Sequence, residues 1–327
     1  MTAPRGGARD RSEDVQASGL SDRHWARRAE CTSVWGIRFL LAVHALFGRA
    51  PFLTFLTPVL LFYWCTRPAL RRASLRWLER AGVTPTHANG LRHLTRFAET
   101  MLDKFLASAG RFSADSLCIE NDDPFQNDPP NQGCILLTSH TGCQEILQAR
   151  SSAATKHPIV VLQYTSHARR FNELLEKAGA TKNGLTFYEV GDVTPGLAME
   201  LDEHLQKGAY LVIAGDRIPT GSEKAVTLCS FMGQDAPFPT GGAFLAMLLH
   251  VPLRMMTCTR ADDVDPRAPR YRVRFESLCE ETNVPRRERR AFLKAVTKRY
   301  AEHLETEMRA HPYDWFNFHD FWQEEAR

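Results

Sequence analysis

Gly133–Ile146, GCILLTSHTGCQEI, is the stretch on which the fold turns. Its first half is a short uncharged apolar run, the pattern of a strand buried on both faces, as in parallel sheets covered by helices on each side. The run ends in Thr138 and Ser139, sets His140 just beyond the strand and turns at Gly142 toward Glu145. Glycine permits a sharp turn into a following helix. Side chains at the carboxyl ends of such strands face the crevice where α/β proteins bind ligands.

Outward from this stretch the same alternation continues. Strand-like runs SLCIE, PIVVLQY, LTFYEV, AYLVIAG, PLRMMTC and RYRVRFE are interleaved with helical patterns through Ile146, through Phe171 and Leu175, through Met199 and Leu205, and through Phe244 and Leu248. The expectation is an α/β fold: one domain, residues 83–327, with a central mixed, largely parallel sheet flanked by helices. Upstream, LRHLTRFAETMLDKFLASAG has helical apolar spacing and ends on Gly110, and a charged helix runs from Arg286 to Ala310 before Pro312.

The amino-terminal part differs. Residues 1–22 are polar without an apolar core, which reads as a flexible tail rather than a secretory signal. Residues 23–82 carry ten arginines, no lysine and only Glu30 and Glu79 as acids, so this segment is strongly basic although the whole chain is only +3. Between the arginines lie apolar runs, the longest from Ala50 to Thr66, short of the ~20 residues that span a bilayer. Pro51 and Pro58 interrupt it, and Trp35, Tyr63 and Trp64 stand at its edges. This predicts short apolar helices lying in a membrane interface, with arginines facing anionic head groups. A helical hairpin buried on a soluble domain is the competing reading. Nucleic acid is a poorer partner, because the apolar runs would have no role there.

Eight cysteines are scattered without a CxxC pair, so neither a zinc site nor a disulfide framework is expected and no metal is implied. His140 and Glu145 are five positions apart, which on a continuous helix would turn them away from each other. They meet only if the histidine stands in the turn and the glutamate at the start of a helix. In that geometry Glu145 would fix the imidazole tautomer and stabilise the imidazolium, leaving the other nitrogen to take a proton from a hydroxyl or amine. Ser139 and Cys143 are weaker nucleophile candidates, since no GxSxG elbow surrounds them and Cys143 falls in the expected helix. The nucleophile would then come from the substrate.

Three further blocks follow in order: LVIAGDRIPTG, FMGQDAPFPTGGAFLAML and PYDWFNFHDFW. Together with the His-x4-Glu pattern they resemble the lysophospholipid acyltransferase superfamily, in the branch near the lipid A late acyltransferases and the predicted acyltransferases of aryl-polyene-type lipid pathways. The resemblance runs from about Trp25 to Trp322. It implies His140 as catalytic base and Glu145 as its orienting acid, with Asp216 and Arg217 beside the donor and acceptor pocket. Phe238, Pro239, Thr240 and Gly241 fall where the family has its FP-x-G block. Thr240 stands in place of the glutamate of glycerol-phosphate acyltransferases, and no arginine-containing segment follows, which favours the lipid A-like branch. The backbone of that turn could face an anionic group at the mouth of a helix; a plain helix start with Thr240 as cap is the simpler alternative.

What the resemblance implies for function is acyl transfer, without a cofactor, from acyl carrier protein or coenzyme A to a hydroxyl or amine of a lipid-like acceptor, on the cytoplasmic face of the inner membrane. A catalytically silent lipid-binding or scaffolding subunit and a thioesterase or lipase are the alternatives. The terminal aromatics Tyr313, Trp315, Phe316, Phe318, Phe321 and Trp322 read as packing.

Overall fold

A computed structural model describes residues 34–112, 114–121, 123–146, 157–163, 185–189, 194–219, 225–261 and 270–322. The tail 1–22, the start of the basic segment and the helix expected through Phe171 and Leu175 lie outside these residues.

Four helices come first: α1 (Val34–Phe47), α2 (Arg49–Thr66), α3 (Pro68–Arg80) and α4 (His87–Ser108). A sheet follows, built from β1 (Leu117–Ile119), β2 (Cys134–Thr138), β3 (Ile159–Gln163), β4 (Leu185–Glu189), β5 (Tyr210–Ala214), β8 (Leu253–Arg260) and β9 (Tyr271–Cys279), in the order β1-β9-β8-β2-β5-β3-β4. The expected α/β architecture with a mostly parallel mixed sheet is present: β8, β2, β5, β3 and β4 run parallel, and β9 is antiparallel to β8. Helices α5 (Pro124–Asn127), α6 (Pro195–Gln206), α7 (Gly241–Leu249) and α8 (Arg289–Ala310) complete the chain.

All five residues of β2 are buried. Successive side chains of a strand point to opposite faces, and here Ile135 and Leu137 join one core while Cys134 and Leu136 join the other. The first core takes in α3 through Trp77 and Leu78 together with Trp315 and Trp322 of the carboxyl-terminal segment. A third cluster lies under α2, where Phe52, Leu56, Leu60 and Trp64 recur every fourth residue and bury against Leu94 and Leu102 of α4. Helix α2 is apolar on its other side too: Phe55 and Phe62 are exposed, as are Trp35, Phe39, Leu46 and Phe47 of α1.

One element was not expected from the sequence. Val226–Phe231 (β6) and Gln234–Pro239 (β7) form an antiparallel hairpin ahead of α7. Its two turn residues, Met232 and Gly233, both have positive φ (54° and 80°), the backbone of a tight hairpin turn. The Phe238–Gly241 block therefore lies at the end of a hairpin strand and the start of α7. A Cβ at Gly242 would come within 2.3 Å of a methyl of the Leu137 side chain on β2, so any larger residue there would have to displace that side chain.

Candidate functional site

The site is built where β2 and β5 end side by side. Thr138 is in register with Ala214, so a step of two residues beyond each strand brings His140 opposite Asp216. His140 Nδ1 lies 2.7 Å from Asp216 Oδ1, and the His140 backbone N–H donates to Oδ2 at 2.8 Å. The carboxylate side chain is 1% exposed and the imidazole 35%. With Nδ1–H donated to Asp216, the Nε2 lone pair is left as the acceptor, since a neutral imidazole carries one proton.

The turn that sets this geometry depends on Gly142. Its φ is +45°, and a Cβ there would come within 2.2 Å of the Cys258 carbonyl oxygen on β8. Gln144–Ile146 then form one 3-10 turn. Here the expectation for Glu145 is corrected. From that turn its side chain reaches α4, where Lys104 Nζ donates to Oε1 at 3.0 Å. The carboxylate that meets His140 is Asp216, brought in by strand pairing rather than by proximity in the chain.

Electrostatics follow from this arrangement. Burial, and then the charge of Arg217, lower the His140 pKa below its ordinary 6.5, against the opposing pull of Asp216. The imidazole is therefore neutral and able to accept a proton near pH 7. Burial alone would raise Asp216, but the charge of His140 and its hydrogen bonds, with Arg217 behind them, hold it well below the usual carboxylate range. Burial draws Lys104 down, yet Glu145 outweighs it and the ammonium ends raised. The dyad is thus a neutral base on an ionised, buried acid, the arrangement that stabilises an imidazolium as it forms.

Arg217 belongs to the same corner, and its Nη2 donates to the Phe316 carbonyl at 3.1 Å. The family block at the hairpin divides. Phe238 is fully buried, edge-on against Phe231, Tyr300 and Phe321, which makes it a core residue rather than a ligand contact. Thr240 does not cap α7; its hydroxyl donates to the Ala225 carbonyl at 3.1 Å. Pro239 is half-buried and Gly241 exposed where α7 begins.

Neither alternative nucleophile faces the imidazole. The Ser139 hydroxyl is buried 3.2 Å from that of Thr141. Cys143 is fully buried, which pushes its thiol well above the ordinary range, with the charge of Glu145 adding to the effect. Among the described residues no group of three His, Cys, Asp or Glu is placed to hold a metal ion.

The carboxyl-terminal segment closes over the turn, a role the sequence reading did not assign. Thr141 and Trp315 form an antiparallel bridge, flanked by Phe316 N–H to His140 O at 2.8 Å and Gly142 N–H to Asp314 O at 3.1 Å. Trp315 Nε1 donates to Asp216 Oδ2 at 2.9 Å. The only hint in the sequence is a tryptophan, whose indole N–H requires an acceptor when buried. Compared with family models and with curated proteins, the chain matches none.

Proposed function

We propose that this protein is an acyltransferase that moves an acyl group from a thioester, on acyl carrier protein or coenzyme A, to a hydroxyl or amine of a lipid-like acceptor. The observation that carries the reading is the His140–Asp216 pair, with Nδ1 held at 2.7 Å by a buried carboxylate and the imidazole side chain 35% exposed. The resemblance of the sequence blocks to the lysophospholipid acyltransferase superfamily supplies the reaction class.

In this mechanism Nε2 takes the acceptor proton as the acceptor oxygen or nitrogen adds to the thioester carbonyl. Arg217 faces the negative charge on the carbonyl oxygen. The tetrahedral species collapses, the C–S bond breaks, and the thiolate takes the proton back from Nε2. The products are an ester or amide and a free thiol. Asp216 stays ionised throughout and stabilises the imidazolium between the two transfers.

Attachment to the cytoplasmic face of the inner membrane is part of the proposal. Among the described residues no helix is long and apolar enough to cross a membrane. The exposed apolar ridge of α1 and α2, with Arg38, Arg67 and Arg72 exposed around it, supports a helix pair lying on an anionic lipid surface. There it would hold the site where an amphiphilic acceptor is found.

The test is release of thiol from an acyl thioester, with and without lipid acceptor. Wild-type protein is expected to release thiol only when acceptor is present, and His140→Ala to lose about 10²–10⁴-fold. Full activity in the variant refutes the mechanism, and acceptor-independent release shows a hydrolase instead.

A further inference from the structure

Three buried tryptophans, Trp77, Trp315 and Trp322, stack and cross within one aromatic cluster beside Phe231 and Phe321. Each satisfies its indole N–H, as buried donors must. Trp77 donates to the Pro312 carbonyl at 2.7 Å and Trp322 to the Phe231 carbonyl at 3.2 Å. Trp315 instead donates to a side chain, the carboxylate that holds His140. Packing alone would be served by a backbone carbonyl.

Trp315 has little freedom to do otherwise. Its ring is fully buried and lies 4.5 Å from that of Trp77 between centroids. Its backbone is bridged to Thr141, and its carbonyl accepts from His93 Nε2 at 2.9 Å. His93 is fixed in turn by Ser74 at 2.9 Å through Nδ1. The indole N–H is thus delivered to Asp216 by the same strap that pairs with the His140 turn.

Asp216 then has no rotational choice. Oδ2 receives two donors, His140 N–H and Trp315 Nε1–H, and only Oδ1 remains for the imidazole. We propose that Trp315 is a positioning residue. By occupying Oδ2 it fixes the carboxylate plane, directs Oδ1 to Nδ1, and so sets the tautomer and aim of the His140 base. The inference rests on the reading of His140 as proton acceptor, and it assigns a task to the aromatic strap beyond packing.

A second consequence concerns the strength of the base. Among the described residues, the charged groups that act most on His140 are Asp216, Arg217 and Lys104. The indole carries no charge, but its N–H dipole draws density from the carboxylate and weakens its hold on the imidazolium. Without that donor the Asp216–imidazolium interaction strengthens, so the His140 pKa rises.

The experiment follows the His140 ring by nitrogen-15 NMR in the full chain, its signals assigned by their loss in His140→Ala. Trp315→Phe is expected to raise the His140 pKa by about half a unit, the fraction of a charged hydrogen bond felt differently by the two protonation states. It should also lower kcat about tenfold with little change in KM, as for an interaction realised in the transition state. Because Phe leaves a void, β-(3-benzothienyl)alanine is placed at 315 as well; it keeps the bicyclic volume, lacks the N–H and should give the same pKa shift. Trp77→Phe removes an indole N–H from the same cluster without touching Asp216, and is expected to cost stability while the His140 titration stays at the wild-type value. The proposal is overturned if the benzothienyl protein titrates as wild type, or if Trp77→Phe shifts His140 as far as the Trp315 replacements do. If wild-type protein transfers no acyl group, the functional reading fails, while the titration still decides whether Trp315 sets the histidine.

Discussion

Replacing Asp216 with asparagine separates the geometry seen here from the one the local sequence suggests. The amide has the shape of the carboxylate but one end accepts and the other donates. At 2.8 and 2.9 Å, the His140 N–H and the Trp315 indole N–H both point at the Oδ2 position. Turning the amide nitrogen toward them would lose two hydrogen bonds and leave buried donors unsatisfied, at about 1 kcal/mol or more each. The oxygen is therefore held at Oδ2 by about 2 kcal/mol, roughly a 30-fold preference. The NH2 group is then forced to face Nδ1, 2.7 Å from where Oδ1 was.

An NH2 group facing Nδ1 demands a lone pair there, which drives the imidazole proton to Nε2 and removes the acceptor the mechanism needs. The expected loss is about 10³-fold in kcat, within the range that a general base supplies, with KM nearly unchanged because no substrate contact is altered. Glu145→Gln removes the charge paired with Lys104 but leaves the His140–Asp216 contact in place, and is expected to keep activity within tenfold. The assay is acceptor-dependent thiol release, with nitrogen-15 NMR reading which ring nitrogen carries the proton. Asp216→Asn within tenfold of wild type, or Glu145→Gln as impaired as Asp216→Asn, refutes the assignment; the second outcome would return Glu145 to the role first read from the sequence.

Other consequences are separately measurable. Burial and the charge of Arg217 place the His140 pKa below 6.5, so the base stays unprotonated to lower pH than an ordinary imidazole. Activity should fall only as pH drops through that lowered value, and an acid limb of kcat/KM at or above pH 7 contradicts the electrostatics. Phe39 and Phe62 are 53% and 61% exposed; changing both to glutamate should leave the circular dichroism unchanged and cut co-sedimentation with anionic vesicles about tenfold or more, whereas undiminished binding removes the proposed lipid-facing ridge. Arg49 is buried against Asp103 at 2.5 Å and Glu99 at 3.5 Å. Arg49→Met leaves the fully buried Asp103 with the Tyr271 hydroxyl and without its cation, which should cost about 3–5 kcal/mol in denaturant unfolding; an unchanged midpoint contradicts the clamp.

The sequence was legible where one physical demand dominates. β2 is readable because burial on both faces leaves an uninterrupted apolar run, and Gly142 because only glycine tolerates both its φ of +45° and the approach of the Cys258 carbonyl. The hairpin β6–β7 was hidden for the opposite reason. Met232 is not a residue that announces a left-handed turn, and Pro237 and Pro239 argue against a strand unless it has a free edge, as a two-stranded hairpin does. The partner of His140 was misread because a spacing along the chain is visible and a strand register is not. LLTSH and VIAGD carry the same offset from strand end to functional side chain, and pairing Thr138 with Ala214 turns that offset into a contact. Asp216 was singled out from the sequence; that it meets the imidazole required the sheet.

Helix α4 links the two halves of the proposal. On one side its His93 anchors the Trp315 carbonyl, and so the strap over the His140 turn. Two turns further on, Glu99 and Asp103 clamp Arg49, the first residue of α2 after the Gly48 break at φ +83°. The next residue, Lys104, holds Glu145 just beyond that turn. The apolar ridge and the dyad are therefore fastened to one rigid element rather than joined by a linker. Asp103 binds the ridge and Lys104 the site-side carboxylate from adjacent positions, so a shift of α2 large enough to move Arg49 must either break a buried ion pair or carry α4 along. Breaking it exposes an uncompensated buried charge, at several kcal/mol; carrying α4 drags both the strap and the Glu145 turn. If the ridge rests on lipid, α4 therefore couples the position of His140 to that of the ridge.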